Sequence, residues 1–180
     1  MNSTAANHYE QAFACRLEET RIPFVSIDQS QRPVMNDKGI KNFDFLLWPE
    51  GPRRILVEVK GRTFTGTSLA GRTGLDCWVT RQDTQAMQTW HRLFSQEQTA
   101  DQAVFLFAFC IKQIDIDPDG LTLFEFDNRR YVFFVIRAQN YLARMKRRSP
   151  RWQTVTLSSE DVKALCIPLD EYIQEVLINE

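Results

Sequence analysis

The sequence predicts an α/β fold: a mixed central sheet flanked by helices, with a C-terminal extension. Three observations lead there. Residues 43–47 and 55–60 are short runs rich in β-branched and aromatic side chains, separated by turn residues. Residues 103–110 form an unbroken apolar run, the pattern of a central strand buried on both faces. Segments of helical periodicity stand before the first strands and between the second and third runs. With 180 residues, the chain fits one domain (1–180), a core over about 6–110 followed by an accessory hairpin and helices over about 111–180.

Taken in order, residues 6–20 read as an amphipathic helix whose apolar stripe is Tyr9, Ala12, Phe13 and Leu17. Pro23 closes it, and residues 24–28 begin an extended segment. The strands at 43–47 and 55–60 flank Trp48-Pro49-Glu50-Gly51-Pro52-Arg53-Arg54, a dense set of turn signals. A Gly/Thr-rich loop follows over 61–74 with Arg62 and Arg72; it reads as a mobile cationic cover for a site, or as a plain connector. Thr80-Arg81-Gln82-Asp83 is a capping box opening a helix to about Ser95. Met87, Trp90, His91 and Phe94 share one face of that helix, which makes His91 a core-edge residue rather than a base. Residues 121–126 and 131–136 form a second hairpin around 127–130. A short helix through Tyr141 to Met145 carries a basic run, and Val155 and Leu157 mark a last strand. Ser158 with Asp161 caps a helix to about Leu165, and 169–178 is another.

Asp44, Glu58 and Lys60 carry the chemistry. Side chains alternate across a strand, so Glu58 and Lys60 share one face while Ile55, Val57 and Val59 share the other. A hairpin centred on Gly51 places Asp44 opposite Glu58, with Cβ atoms about 5 Å apart. Two carboxylates so placed repel, and a hard divalent cation relieves the repulsion. Lys60 then lies one pleat on, near any phosphate the cation holds. The competing reading is plain: charged residues on an edge strand discourage aggregation.

Asp44, thirteen intervening residues and then Glu58-Val59-Lys60 resemble the PD-(D/E)XK nuclease superfamily in its Asp…Glu-X-Lys form. His8-Tyr9-Glu10, Lys41-Asn42-Phe43-Asp44 and Trp78-Val79-Thr80-Arg81 also resemble a small uncharacterised bacterial family of that type. The sequence departs from the pattern in having Phe43 where a proline often precedes the aspartate. The resemblance covers roughly residues 6–110 and implies an αβββαβ restriction-endonuclease-like core. It implies metal-dependent hydrolysis of phosphodiester bonds, with Mg²⁺ or Mn²⁺ held by Asp44, Glu58 and the Val59 carbonyl. Lys60 would act on the attacking water and the transition state. Glu10, on the first helix, would join the site, and Gln82 or Gln85 are candidates for the glutamine found after the Glu-X-Lys strand in several branches. The alternative is a catalytically inactive nuclease-fold module that binds nucleic acid or a protein partner.

Charge distribution points to the same partner. The net charge is −1, yet residues 128–159 carry eight cations and no acid, leaving −9 for the rest of the chain. Such asymmetry suggests a nucleic-acid-facing surface, DNA first, with Arg62, Arg144, Lys146, Arg147, Arg148 and Arg151 as contacts. Tyr141 and Trp152 flank the densest part and are candidates for stacking. No apolar run reaches the roughly 18 residues that span a bilayer, and no signal-peptide pattern opens the chain, so a cytoplasmic location is expected. Four scattered cysteines with no CxxC argue for buried free thiols rather than zinc. A homodimer is left open.

Overall fold

The computed structural model describes residues 7–31, 33–35, 38–49, 53–95, 102–113 and 115–178. Helix α1 (His8–Glu19) is followed by strands β1 (Phe24–Ser26), β2 (Val34–Met35), β3 (Lys38–Gly39), β4 (Phe45–Leu47), β5 (Ile55–Thr63) and β6 (Val79–Thr80). Next come α2 (Arg81–Phe94), β7 (Gln102–Ile111), β8 (Phe124–Phe126), β9 (Arg129–Arg137) and α3 (Ala138–Arg144). The chain then forms β10 (Lys146–Ser149), β11 (Thr154–Thr156), α4 (Ser159–Leu165), β12 (Ile167–Pro168) and α5 (Leu169–Ile178).

Among the described residues the main sheet runs β1-β4-β5-β7-β9-β12, with β8 added to β9. β1, β4 and β5 pair antiparallel, β5 and β7 parallel, and β7 and β9 antiparallel, so the sheet is mixed. The parallel pair requires a crossover, which α2 supplies. The chain is therefore α/β, with helices on both faces of a mixed sheet.

The alternation along β5 builds those faces. Ile55, Val57 and Val59 pack with Ala12, Phe13 and Leu17 of α1 and with Tyr172 and Val176 of α5. Leu56 points the other way, into a core of Phe105, Phe107, Phe109, Met87 of α2, Tyr141 of α3 and Val162 of α4. Glu58 and Lys60 share that second face, so β5 carries its charges toward α2 and not toward α1. α1 sits unusually close to β5: a Cβ on Gly61 would lie 2.0 Å from the Tyr9 ring. Only glycine allows that approach, and it brings the residue after Tyr9, Glu10, over the end of β5.

Several expectations need correction. The second hairpin is not appended to a core ending near residue 110, because β9 pairs with β7 from Val104↔Arg137 to Ile111↔Arg130 and is a full member of the sheet. Its turn, Asp127-Asn128, holds both residues at positive φ (50° and 57°), the twist a tight hairpin needs. The basic run is not helical. α3 ends at Arg144, the backbone of the next residue, Met145, turns extended, and Lys146–Ser149 pairs with β11 instead. The 61–74 segment is not an open flap: Phe64 and Leu69 are buried in the core, and β5 continues through Thr63. A Cβ on Gly66 would lie 2.0 Å from the Thr73 carbonyl oxygen, so the two ends of this loop touch. The capping box at Thr80 forms with both of its hydrogen bonds, and α5 spans the segment expected for the last helix. Cys77, Cys110 and Cys166 are buried free thiols and Cys15 is half-buried. No helix among the described residues is long and apolar enough to cross a membrane.

Candidate active site

The register of β4 and β5 brings Asp44 to the Glu58 region. Phe45 pairs with Val57, Leu46 with Leu56 and Leu47 with Ile55, the register of a hairpin centred on residue 51. Residues 50–52 lie outside the described residues. Just past the last pair the ladder bends. The Asp44 N–H donates to the Val57 carbonyl (2.9 Å), and its Oδ2 accepts the Val59 N–H (2.7 Å). Asp44 therefore reaches across the pair and touches the backbone between Glu58 and Lys60. Gln29 Nε2 donates to Asp44 Oδ1 (3.1 Å) and to the Phe43 carbonyl (2.9 Å), which fixes the approach of the chain.

Glu58 is buried, 2% exposed, on the face toward α2. It is not left bare. Lys60 Nζ binds its Oε1 at 2.8 Å, and Lys41 Nζ binds the same oxygen. Asp83, also 2% exposed, completes a four-membered ion-pair box. Its Oδ1 takes Lys41, and its Oδ2 takes Lys60 at 2.9 Å. That Oδ2 also accepts the Thr80 N–H at 2.9 Å, the return bond of the capping box that begins α2. One carboxylate thus starts the helix and holds both lysines. Trp90 of α2 donates through Nε1 to the Lys41 carbonyl (2.9 Å), tying the Lys41 backbone to the same helix.

The protonation balance follows from this geometry. Burial disfavours charge on Asp83, but Lys60 and Lys41 outweigh it and hold the carboxyl well below its usual range. Burial likewise works against Lys41, and Glu58 and Asp83 outweigh it, raising its pKa. Asp44 goes the other way. Burial, then the Glu58 charge, then Glu10 push its carboxyl up to about 8, against the opposing Val59 N–H bond. Glu10 is raised by burial and by Glu58, partly offset by Lys60 and Lys41. The two lysines close on Glu58 and Asp83, and Asp44 and Glu10 are the carboxyl groups whose ionisation burial and the Glu58 charge oppose.

The other predicted residues are placed as follows. Arg62, toward the end of β5, is committed to the protein: its Nη1 donates to the Gly61 carbonyl (2.7 Å), its Nη2 to that of Trp78, and its guanidinium lies 4.0 Å over the Trp78 ring. Arg72 donates from Nε to the Cys166 carbonyl (2.8 Å). Arg144 pairs with Asp161 at 3.2 Å, and Arg148 with Asp76 at 3.5 Å while lying over Trp78. Lys146, Arg147 and Arg151 are exposed. Tyr141, expected to stack on nucleic acid, is fully buried, and its hydroxyl donates to the Cys77 and Val155 carbonyls. Gln82 and Gln85 are exposed, while Asp83 between them faces the cluster.

Sequence reasoning missed Lys41 and Asp83. The signal for Asp83 was present: it stands four residues before Met87 and seven before Trp90, on the stripe that faces the sheet. Lys41 offered no such pattern. Among the described residues, no group of three or more His, Cys, Asp or Glu side chains is gathered tightly enough to form a metal cage. No family model matches the chain, and a search of curated proteins finds no match.

Proposed function

We propose that the chain is a metal-dependent nuclease that hydrolyses phosphodiester bonds, most directly in DNA. One observation carries the reading: Asp44 reaches the backbone beside Glu58 on paired strands, with Lys60 on the Glu58 face and the Asp44 carboxyl driven up to about 8 by burial first and then by the Glu58 and Glu10 charges. Counting only members of the main sheet, with the short β2, β3 and β6 set aside, the order of α1, three antiparallel strands β1, β4 and β5, the crossover helix α2 and the parallel strand β7 supports the restriction-endonuclease-like core that the Asp…Glu-X-Lys resemblance implies.

The donor chemistry suits a hard divalent ion, although the described side chains are not gathered into a ready cage. The donors are all oxygen, and burial and the Glu58 charge oppose ionisation of Asp44 and Glu10, an opposition that a bound cation would relieve. Asp44, Glu58 and the Val59 carbonyl would hold Mg²⁺ or Mn²⁺, with Glu10 toward a second ion or an outer water. Such an ion supplies charge neutralisation for the scissile phosphate and acidifies its bound water. Lys60, held between Glu58 and Asp83, is a fixed donor for the attacking water or for a phosphate oxygen in the transition state. Lys41, bonded to the same two carboxylates, doubles that donor set.

The raised Asp44 carboxyl gives a direct test. At pH 7 a group titrating near 8 is mostly protonated, so binding of Mg²⁺ displaces a proton. Calorimetry in two buffers of different ionisation enthalpy is expected to show close to one proton released per ion at pH 7, and little at pH 9. Asp44→Asn removes the difference; equal release at both pH values contradicts this assignment. The sign for folding is fixed by the same shift. A carboxyl raised in the folded state favours folding while protonated, so its contribution is present below about pH 4 and lost as pH rises through about 8.

The exposed cations of β10 would track the phosphate backbone without reading sequence. Replacing Lys146 and Arg147 together with alanine is expected to lower the slope of log affinity against log salt by about 2. Arg148→Ala should change it less, because Asp76 and Trp78 already engage that side chain. An unchanged slope in the double variant removes β10 from the interface.

A second reading draws on the ion-pair box itself. Both lysines close on Glu58 Oε1, an arrangement that would also suit a nuclease-fold module that binds nucleic acid or a protein partner without turnover. Loss of cleavage together with retained binding in the wild type would favour it.

A further inference from the structure

The turn between β10 and β11 carries a feature that phosphate contact does not explain. Trp152 is 68% exposed, the one aromatic among the exposed large hydrophobic side chains of the described residues. Its ring remains open to that extent even though the Arg151 guanidinium lies 5.1 Å over it. Burying such a ring stabilises a fold by a few kcal/mol, and this chain leaves it in solvent.

The turn is not loose. The Trp152 N–H donates to Ser149 Oγ (3.3 Å) and the Gln153 N–H to the Pro150 carbonyl (3.3 Å). Gln153 is held at φ 47°, a left-handed conformation that costs a residue with a side chain some strain. The turn is also anchored to the candidate active site. Thr154 pairs with Thr80 and Val155 with Val79 through β6. The Arg81 N–H, at the first residue of α2, donates to the Gln153 carbonyl (2.9 Å). Two residues further along α2 stands Asp83, which holds Lys41 and Lys60. From Trp152 to Asp83 the backbone path through that hydrogen bond is therefore within about 15 Å, a span of a few nucleotides.

We infer that Trp152 is a stacking platform for an unpaired base lying a few nucleotides from the cleaved phosphate. The preferred substrate class is then single-stranded or junction-containing nucleic acid. Inside a duplex both faces of each base are occupied by its neighbours and only the two terminal pairs show one face, so an exposed indole gains little there. An unpaired base offers a free face, and stacking on an aromatic side chain is indifferent to which base it is. Arg151 over the ring and the exposed Arg147 on the adjoining strand β10 supply the phosphate contacts that hold the strand against it. The scissile-phosphate part of this assignment rests on the nuclease reading; the stacking part does not.

The test is anisotropy of labelled 20-nucleotide single strands, blunt duplexes and flapped duplexes, in DNA and RNA versions, titrated in EDTA so that cleavage plays no part. The wild type is expected to bind single strands and flaps more tightly than blunt duplex. Trp152→Ala should weaken binding to single strands and flaps by about tenfold and leave blunt duplex unchanged, while Trp152→Phe keeps most of the affinity. Exposure of the ring means that neither variant disturbs the core. Equal weakening on all substrates, no weakening, or no binding by the wild type overturns the inference. A Trp152-dependent preference in a chain that fails to cleave with metal would leave the stacking platform standing and remove the nuclease reading.

Discussion

Asp83→Ala is expected to destabilise the protein by about 3 kcal/mol, a fall in Tm of roughly 10 °C. Two effects add. The substitution removes a side chain that accepts the Thr80 N–H, so α2 loses half of its capping box. It also leaves Lys41 and Lys60 sharing Glu58 alone at a buried position. Breaking a buried ion pair from one side is costlier than never having had it, because the remaining charge keeps its desolvation penalty. Lys41 and Lys60 retain some contact with solvent, their side chains being 24% and 16% exposed, which places the cost at the lower end of the range for buried pairs. Asp83→Asn keeps an acceptor of the same shape and should cost less than the alanine. Thermal unfolding followed by circular dichroism measures both. A change under about 1 kcal/mol for Asp83→Ala would mean that the box contributes nothing to the fold.

Glu58→Ala acts on chemistry. Cleavage should fall at least a thousandfold, the scale for loss of a central electrostatic element, while nucleic-acid affinity in EDTA stays near the wild-type value. Removing Glu58 also relieves one of the causes that raise Asp44, so the Asp44 carboxyl should move down from its wild-type position while burial still holds it above the ordinary carboxylate range. Titration of that group by NMR, with and without Glu58, separates a specific electrostatic role from general unfolding. Activity that survives the substitution places the reaction elsewhere.

How legible all this was depended on how local the determinants are. The Thr80–Asp83 capping box and the α5 segment were read directly, because caps and helical stripes are fixed within a few residues. The β4–β5 register was also legible, since a short turn between two apolar runs leaves few pairings. The basic run was not. Arg144-Met145-Lys146-Arg147-Arg148 has good helix formers throughout, yet Lys146–Ser149 is a strand, because Thr154–Thr156 offers it a partner already tied to β6. Tyr141 looked like a stacking residue beside that run, and it is buried because the Cys77 and Val155 carbonyls satisfy its hydroxyl. Lys41 and Asp83 are 42 positions apart and meet only when the segment between β3 and β4 is packed against α2, a contact no local pattern encodes. The upward push on the Asp44 carboxyl became visible only with its burial known and Glu58 and Glu10 placed around it.

The central claim is metal-dependent phosphodiester cleavage at Asp44, Glu58 and Lys60. The most direct measurement is cleavage of labelled single-stranded, duplex and flapped DNA and RNA by the wild type, Glu58→Ala and Lys60→Ala, each with Mg²⁺, Mn²⁺ or EDTA. The account predicts cleavage by the wild type with either ion, none in EDTA, and loss in both variants. No cleavage of any substrate by a folded wild type, or cleavage that persists in EDTA or in Glu58→Ala, would contradict it.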